Sequence, residues 1–183
     1  ANGETIFSDN LPGINITYGA ASVGSVTDVT GTVNCSISSN DLTCTASGEV
    51  TIDASTGTFT VSFLATPSAT GTFDNPRSGE ECEADPDDNV TELDDTNNEC
   101  DDTVTVSAPD LTAVKSNDVN DNTTLGNSWT WSIVVSNTGD GDAVFESGET
   151  IFSDNLPDTD ISYGAPSVGS VTDVTGTVNC SIS

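Results

Sequence analysis

The sequence predicts an all-β protein: an antiparallel β-sandwich repeated in tandem. Three observations carry that prediction. Apolar and polar residues alternate in short runs bounded by Gly, Asn, Asp, Ser and Pro, the two-residue period of strands with one face buried. No stretch shows the 3.6-residue period of a capped helix. The ten residues GETIFSDNLP at Gly3 to Pro12 return at Gly148 to Pro157, 145 residues further on (148 − 3 = 145).

Taken in order, the strand signals are INITY from Ile14, TVNCSIS from Thr32, DLTCTA from Asp41, GEVTID from Gly48, GTFTVSFLAT from Gly57, DTVTVS from Asp102 and WTWSIVVSN from Trp129. In the longest runs the alternation is clear: Phe59, Val61, Phe63 and Ala65 share one face, as do Trp129, Trp131, Ile133 and Val135. Aromatic residues on the inner face of two facing sheets make the expected architecture immunoglobulin-like. Both Trp side chains are then core residues, with a sugar-stacking platform as the alternative. Only 33 percent of the chain is hydrophobic, enough for a thin core and not for a broad one.

The duplication extends beyond the decapeptide. Gly3 to Ser38 aligns with Gly148 to Ser183 over 36 positions without a gap. Five positions differ: Gly13/Asp158, Ile14/Thr159, Asn15/Asp160, Thr17/Ser162 and Ala21/Pro166, so 36 − 5 = 31 are identical. Such self-similarity marks an array of structural modules, here in tandem repeats of 145 residues, and the chain reads as a window on a longer protein. The phase of the array follows from SAPDLTAVKSNDV, Ser107 to Val119, where a strand ends, Pro intervenes and a new strand starts. Residues 1–107 are expected to be the C-terminal part of one repeat, 108–109 the junction, and 110–183 the N-terminal part of the next. Each part then needs strands from a neighbour to close its sandwich.

Charge excludes several classes of function. Thirty acidic residues face two basic ones, Arg77 and Lys115, for a net charge of −28. Nucleic acid and anionic membrane surfaces both need clustered Lys and Arg, so neither is an expected partner. No apolar run reaches the roughly 20 residues of a membrane-spanning helix, and no direct membrane insertion is expected. Without His, and with one Lys, the chain holds no Ser-His or Cys-His pair and no basic clamp, so no enzyme is expected and no catalytic residue is assigned. Lys115 ends an alternating run and reads as a strand-end charge; a covalent crosslink to Asn or Asp is its special alternative.

Four cysteines fall in one repeat: Cys35, Cys44, Cys82 and Cys100. Cys180 copies Cys35. Cys35 and Cys44 flank the turn-bearing SISSNDLT, which predicts a cross-strand disulfide and leaves Cys82 and Cys100 to close the acidic segment between them. A zinc site is the rival, disfavoured by the lack of His and of C-x-x-C spacing. Disulfides place the chain outside the cytosol. Between Asp74 and Asp102 lie 13 of the acids. Asp85, Asp87, Asp88 and Glu92 could supply the oxygen ligands of a calcium ion, although the glycine and glutamate spacing of an EF-hand loop is absent. The preferred reading is a solvated loop that keeps the array soluble, with calcium as its rival. Beyond calcium no cofactor is expected. Sequons for covalent glycans stand at Asn15, Asn89 and Asn122, and at Asn34 and Asn179 beside cysteines.

Two stretches resemble known families. WTWSIVVSNTGDGDAVFESGETIFSDNLPDTDISYG is similar to the conserved repeat domain of unknown function, numbered eleven, of giant bacterial and archaeal surface proteins. The resemblance rests on V-x-N-T-G at Val135 to Gly139 and D-x-L-P at Asp154 to Pro157. CEADPDDNVTELDDTNNECDDTVTVSAPDL resembles the closing hairpin of the bacterial cell-adhesion-related domain, with Glu92 to Asn98 as the matching phrase and Asp95 in place of its usual Glu. The resemblances imply immunoglobulin-like sandwiches strung along surface stalks, and no catalytic residues. The expected function is a structural module of an extracellular filament, pilus-like fibre or cell-surface stalk, whose partners are copies of itself in a linear homopolymer or tandem array. The alternative is an adhesin module binding a sugar or protein ligand through its loops, with the variable patch at Gly13 to Thr17 as the place where recognition would reside.

Overall fold

The computed structural model describes residues 3–182. The fold is all-β, assembled from small antiparallel sheets. The first strands are β1 (Thr5–Asn10), β2 (Ile16–Tyr18), β3 (Ser22–Thr27), β4 (Val29–Thr30), β5 (Val33–Ser38), β6 (Asp41–Ala46) and β7 (Thr51–Ile52). They are followed by β8 (Thr58–Ser62), β9 (Ala65–Pro67), β10 (Gly71–Asn75), β11 (Cys82–Ala84), β12 (Asp102–Val106), β13 (Leu111–Asn117) and β14 (Trp131–Asn137).

One sheet has four strands in the order β11-β1-β6-β5, and it carries the core. In β6 the alternation of DLTCTA becomes alternation of burial: Leu42, Cys44 and Ala46 are buried and the residues between them are not. On neighbouring β5, Val33, Cys35 and Ile37 turn to the same side and are half-buried. The turn joining these strands is Ser39 and Asn40, with φ of 54° and 65°. Positive φ at both central residues is the primed geometry whose twist matches a tight hairpin. Leu11, Leu42 and Cys44 form the buried centre, and Phe7, Tyr18, Val61 and Phe63 pack against it. Tyr18 and Phe63 meet edge to face at 5.8 Å. Thus side chains from β2 and β8, which belong to other sheets, close over the four-stranded sheet. The remaining pairs are two-stranded: β2-β9, β3-β8, β4-β7, β10-β12 and β13-β14.

By contact the chain divides into two compact units, Ala1–Ala143 and Val144–Ser183. The β13-β14 hairpin lies in the first unit. Asn137 fastens its end: the side-chain oxygen accepts the N–H of Asp110 at 2.9 Å and of Gly139 at 3.1 Å, while its amide donates to the Gly141 carbonyl at 2.7 Å. Gly139 is needed there because a Cβ would collide with the Ala108 carbonyl and the Asp110 nitrogen. On the expected inward face of WTWSIVVSN, Trp129 and Trp131 are half-buried, whereas Ile133 and Val135 are open to solvent. Ile133 is 36 percent and Val135 40 percent exposed, because among the described residues no second layer covers the ribbon. The two indoles meet each other edge to face at 5.3 Å.

In the second unit the described residues contain no strand. Ile6 and Phe7 are half-buried in β1, whereas their copies Ile151 and Phe152 are 39 and 41 percent exposed. The cause is non-local. The first copy of IFSDN pairs on one side with β6 and on the other with β11, and the sequence holds no second copy of DLTCTA or CEA.

Candidate functional site

An open cleft of about 420 Å³ lies against the core. Its apolar walls are Phe7 of β1, Leu42 of β6, Phe59 and Val61 of β8, and Phe63. Four polar side chains line it as well: Asp9, two residues beyond Phe7 and on the same face of β1, Asn75, the last residue of β10, and the acidic pair Asp101 and Asp102. Asp9 is 4 percent exposed. The Asn75 amide donates to Asp9 Oδ2 at 2.8 Å. The other carboxylate oxygen, Asp9 Oδ1, and the amide oxygen, Asn75 Oδ1, are buried with no hydrogen-bond partner among the described residues. Buried oxygens left this way are uncommon in folded proteins. Burial raises the Asp9 pKa, while the Asn75 hydrogen bond and the Arg77 charge pull it down.

Arg77 follows two residues after Asn75. Its Nη1 donates to the carbonyls of Leu11 at 3.0 Å and Asn40 at 3.1 Å, and its Nη2 to Asp41 Oδ1 at 2.6 Å. The hydrogen bond from Asn10 and that from Arg77 hold the Asp41 pKa below its ordinary value. One of the two basic residues therefore turns to the sheet rather than to the acidic segment that follows it in sequence.

The cysteines pair as the spacing predicts. Cys35 and Cys44 face each other across β5 and β6 and are disulfide-bonded, as are Cys82 and Cys100, whose bridge borders the cleft. Cys180 is an exposed free thiol. Of the acidic candidates, Asp85 caps its own loop: its carboxylate accepts the N–H of Asn89 at 3.0 Å and of Val90 at 2.7 Å. Glu92 accepts from Asn98 at 3.4 Å. Asp87 and Asp88 are exposed. Among the described residues no three acidic, Cys or His side chains come together as a metal site. Asn15, Asn89 and Asn122 are exposed, as are Asn34 and Asn179. Asn15 holds a positive φ of 59°.

Sequence reasoning singled out neither Asp9 nor Asn75. Asp9 opens the first D-x-L-P, which was legible as a motif but not as a buried carboxylate, and Asn75 sits in the unremarkable FDNP. Among the described residues no helix is long and apolar enough to cross a membrane. Comparison with protein-family models, with curated proteins and with solved structures finds no match.

Proposed function

We propose that this chain is a structural module of an extracellular filament or surface stalk, an immunoglobulin-like sandwich in a tandem of 145 residues that strands of a neighbouring repeat or subunit complete. The observation that carries the reading is one sequence in two states: GETIFSDNLP contains a strand where β6 and β11 flank it and no strand where they are missing. Its modules are therefore built to be finished by non-local strands. The open cleft and the uncovered apolar face of β14 are the two unfinished surfaces that support it. Two disulfides fit an oxidising, non-cytosolic setting. High negative charge keeps exposed β-ribbons from lateral aggregation while leaving end-to-end pairing possible.

Sedimentation and electron microscopy of the 183-residue chain test the reading. Linear polymers are expected, whereas a chain re-cut to run from the Asp110 position of one repeat to the Ser107 position of the next should sediment as a stable monomer. A compact folded monomer of the 183-residue chain would sink the proposal.

A further inference from the structure

We propose that Asn122 carries an N-linked sugar whose first ring lies against the Trp129 indole, in a second cleft at the end of the β13-β14 hairpin. The inference shares with the filament reading only the placement outside the cytosol, and it needs no neighbouring repeat.

The cleft is open and holds about 500 Å³, within the roughly 300–1,000 Å³ span of small-ligand sites. Its aromatic wall is Trp129 and Trp131, the two tryptophans of the chain. Both are half-buried, and they meet each other edge to face. The Lys115 ammonium already stands over the Trp131 ring at 4.6 Å, so Trp129 is the ring assigned to the sugar. The polar wall is held in place by its own hydrogen bonds. Asn117 Oδ1 accepts the N–H of Val119 at 3.1 Å and of Asp121 at 3.0 Å, and its amide donates to Asp121 Oδ1 at 2.7 Å. Asp121 and Thr123 line the same cleft as the indoles.

A pyranose matches both walls. The C–H groups on one side of the ring meet the electron-rich face of an indole, while its hydroxyls donate to a carboxylate and exchange hydrogen bonds with a threonine hydroxyl. An anionic ligand does not fit, because Asp121 stands in the cleft and the chain carries a net charge of −28.

The rim of the cleft supplies the attachment point. Asn122-Thr123-Thr124 is a sequon, and Asn122 itself lines the cleft. Asn120 and Asp121 turn the chain with φ of 47° and 64°, and Asn122 to Thr124 follow, exposed and outside any strand. The Asn122 amide makes a bond of 3.4 Å to the Asn120 carbonyl, long for a hydrogen bond. Other sequons are tied into structure. Asn34 is paired opposite Thr45 within β5, and Thr17 of the Asn15 sequon is paired opposite Thr66. The backbone N–H groups of Asn89 and Val90 are held by Asp85.

The donor is a sugar carried on a lipid diphosphate, delivered by a transferase that reads Asn-x-Ser/Thr. Asn122 Nδ2 attacks the anomeric carbon. The C–N bond forms as the C–O bond to phosphate breaks, the lipid diphosphate leaves with that electron pair, and the proton lost from the amide goes to solvent. No atom changes its overall oxidation state.

The full 183-residue chain, secreted from a host with such a transferase, is compared with Thr124→Ala from the same host. Thr124 is exposed, and its replacement removes the sequon while leaving Asn122 and both indoles unchanged. Because both tryptophans line this cleft, their fluorescence reports on it alone. Peptide mapping is expected to find sugar on Asn122 of the wild type. At matched sedimentation, the wild-type emission should lie to the blue of Thr124→Ala and be quenched less by acrylamide. Sugar absent from Asn122, or present on other sequons only, would overturn the site. Sugar on Asn122 with emission and quenching equal to those of Thr124→Ala would overturn its seat on Trp129. Protection of Thr124→Ala by added N-acetylglucosamine would overturn the tethered sugar as occupant in favour of a free one. A monomer with sugar seated on Trp129 would sink the filament reading and leave this inference standing; a polymer without sugar would do the reverse.

Discussion

Asp9 is the residue at which acidity and burial collide. The desolvated carboxyl titrates above its ordinary value of 3.8, so the folded chain holds this proton more tightly than the unfolded chain does. The sign of the linkage follows: the stability Asp9 contributes is present in acid and is lost as pH rises through its folded pKa. Asp41 acts in the opposite sense, contributing stability above its ordinary value and losing it as pH falls below. Melting wild type and Asp9→Asn across the same pH range separates the two, because Asp41 is common to both. The melting temperature of wild type should fall relative to Asp9→Asn as pH rises; a constant difference would show that burial does not perturb this carboxyl. None of this was legible in the sequence, where Asp9 is one acid among thirty. A pKa is set by what the fold packs around a group, and Phe59, Val61 and Asn75 arrive from 50 or more residues away.

At the scale of elements, local pattern and long-range pairing divide the credit. The alternation in DLTCTA, TVNCSIS and WTWSIVVSN marked β6, β5 and β14, and the cysteine spacing marked their cross-strand bridge, because period and turn chemistry are written within a few residues. The expected strand signals did not include β1, β3, β4, β10 or β11. Strand β1 lies between β6 and β11, and its pairing is specified by partners that begin more than 30 residues away. WTWSIVVSN also shows the limit of reading a buried face from alternation, since the pattern marks which side chains share a face without saying whether anything covers it. Arg77 joins elements that the sequence keeps apart, fastening the residue after β1 to the β5-β6 turn through Leu11, Asn40 and Asp41. Arg77→Met should cost about 1–3 kcal/mol in urea unfolding, since the Leu11 carbonyl loses the guanidinium donor and the Asn40 carbonyl keeps only the Leu11 N–H. Arg77→Lys should recover little of this, because an ammonium lacks the planar fork that reaches all three acceptors. Full recovery by Lys would reduce Arg77 to a simple counter-charge.

Over the whole molecule the duplicated segment acts as an internal control, the same residues once with their partners and once without. The 145-residue period was plain in the sequence, but its structural effect was not, because sheet formation depends on strands rather than on the identity of one strand. The prediction at this scale is an extension. Adding a second copy of Ser39 to Ser107 after Ser183 supplies the counterparts of β6 and β11. Ile151 to Asn155 should then gain slow amide exchange, and Cys180 should pass from titratable thiol to disulfide. If Cys180 stays reactive in the lengthened chain, the partner strands are not what the second copy lacks.

One bond is indifferent to all of this. Tyr18 donates its hydroxyl to the Pro12 carbonyl at 2.9 Å in the sheet-bearing copy, and Tyr163 donates to Pro157 at 2.6 Å in the copy without strands. The link spans six residues, so its closure costs little chain entropy and asks nothing of distant partners. The five substitutions between the copies fall within or beside this loop, and the clip survives them. The corner is thus bent by contacts within six residues, whether or not strands pair around it. Any strand that pairs beside it then meets a preset corner rather than having to find the turn and the pairing together.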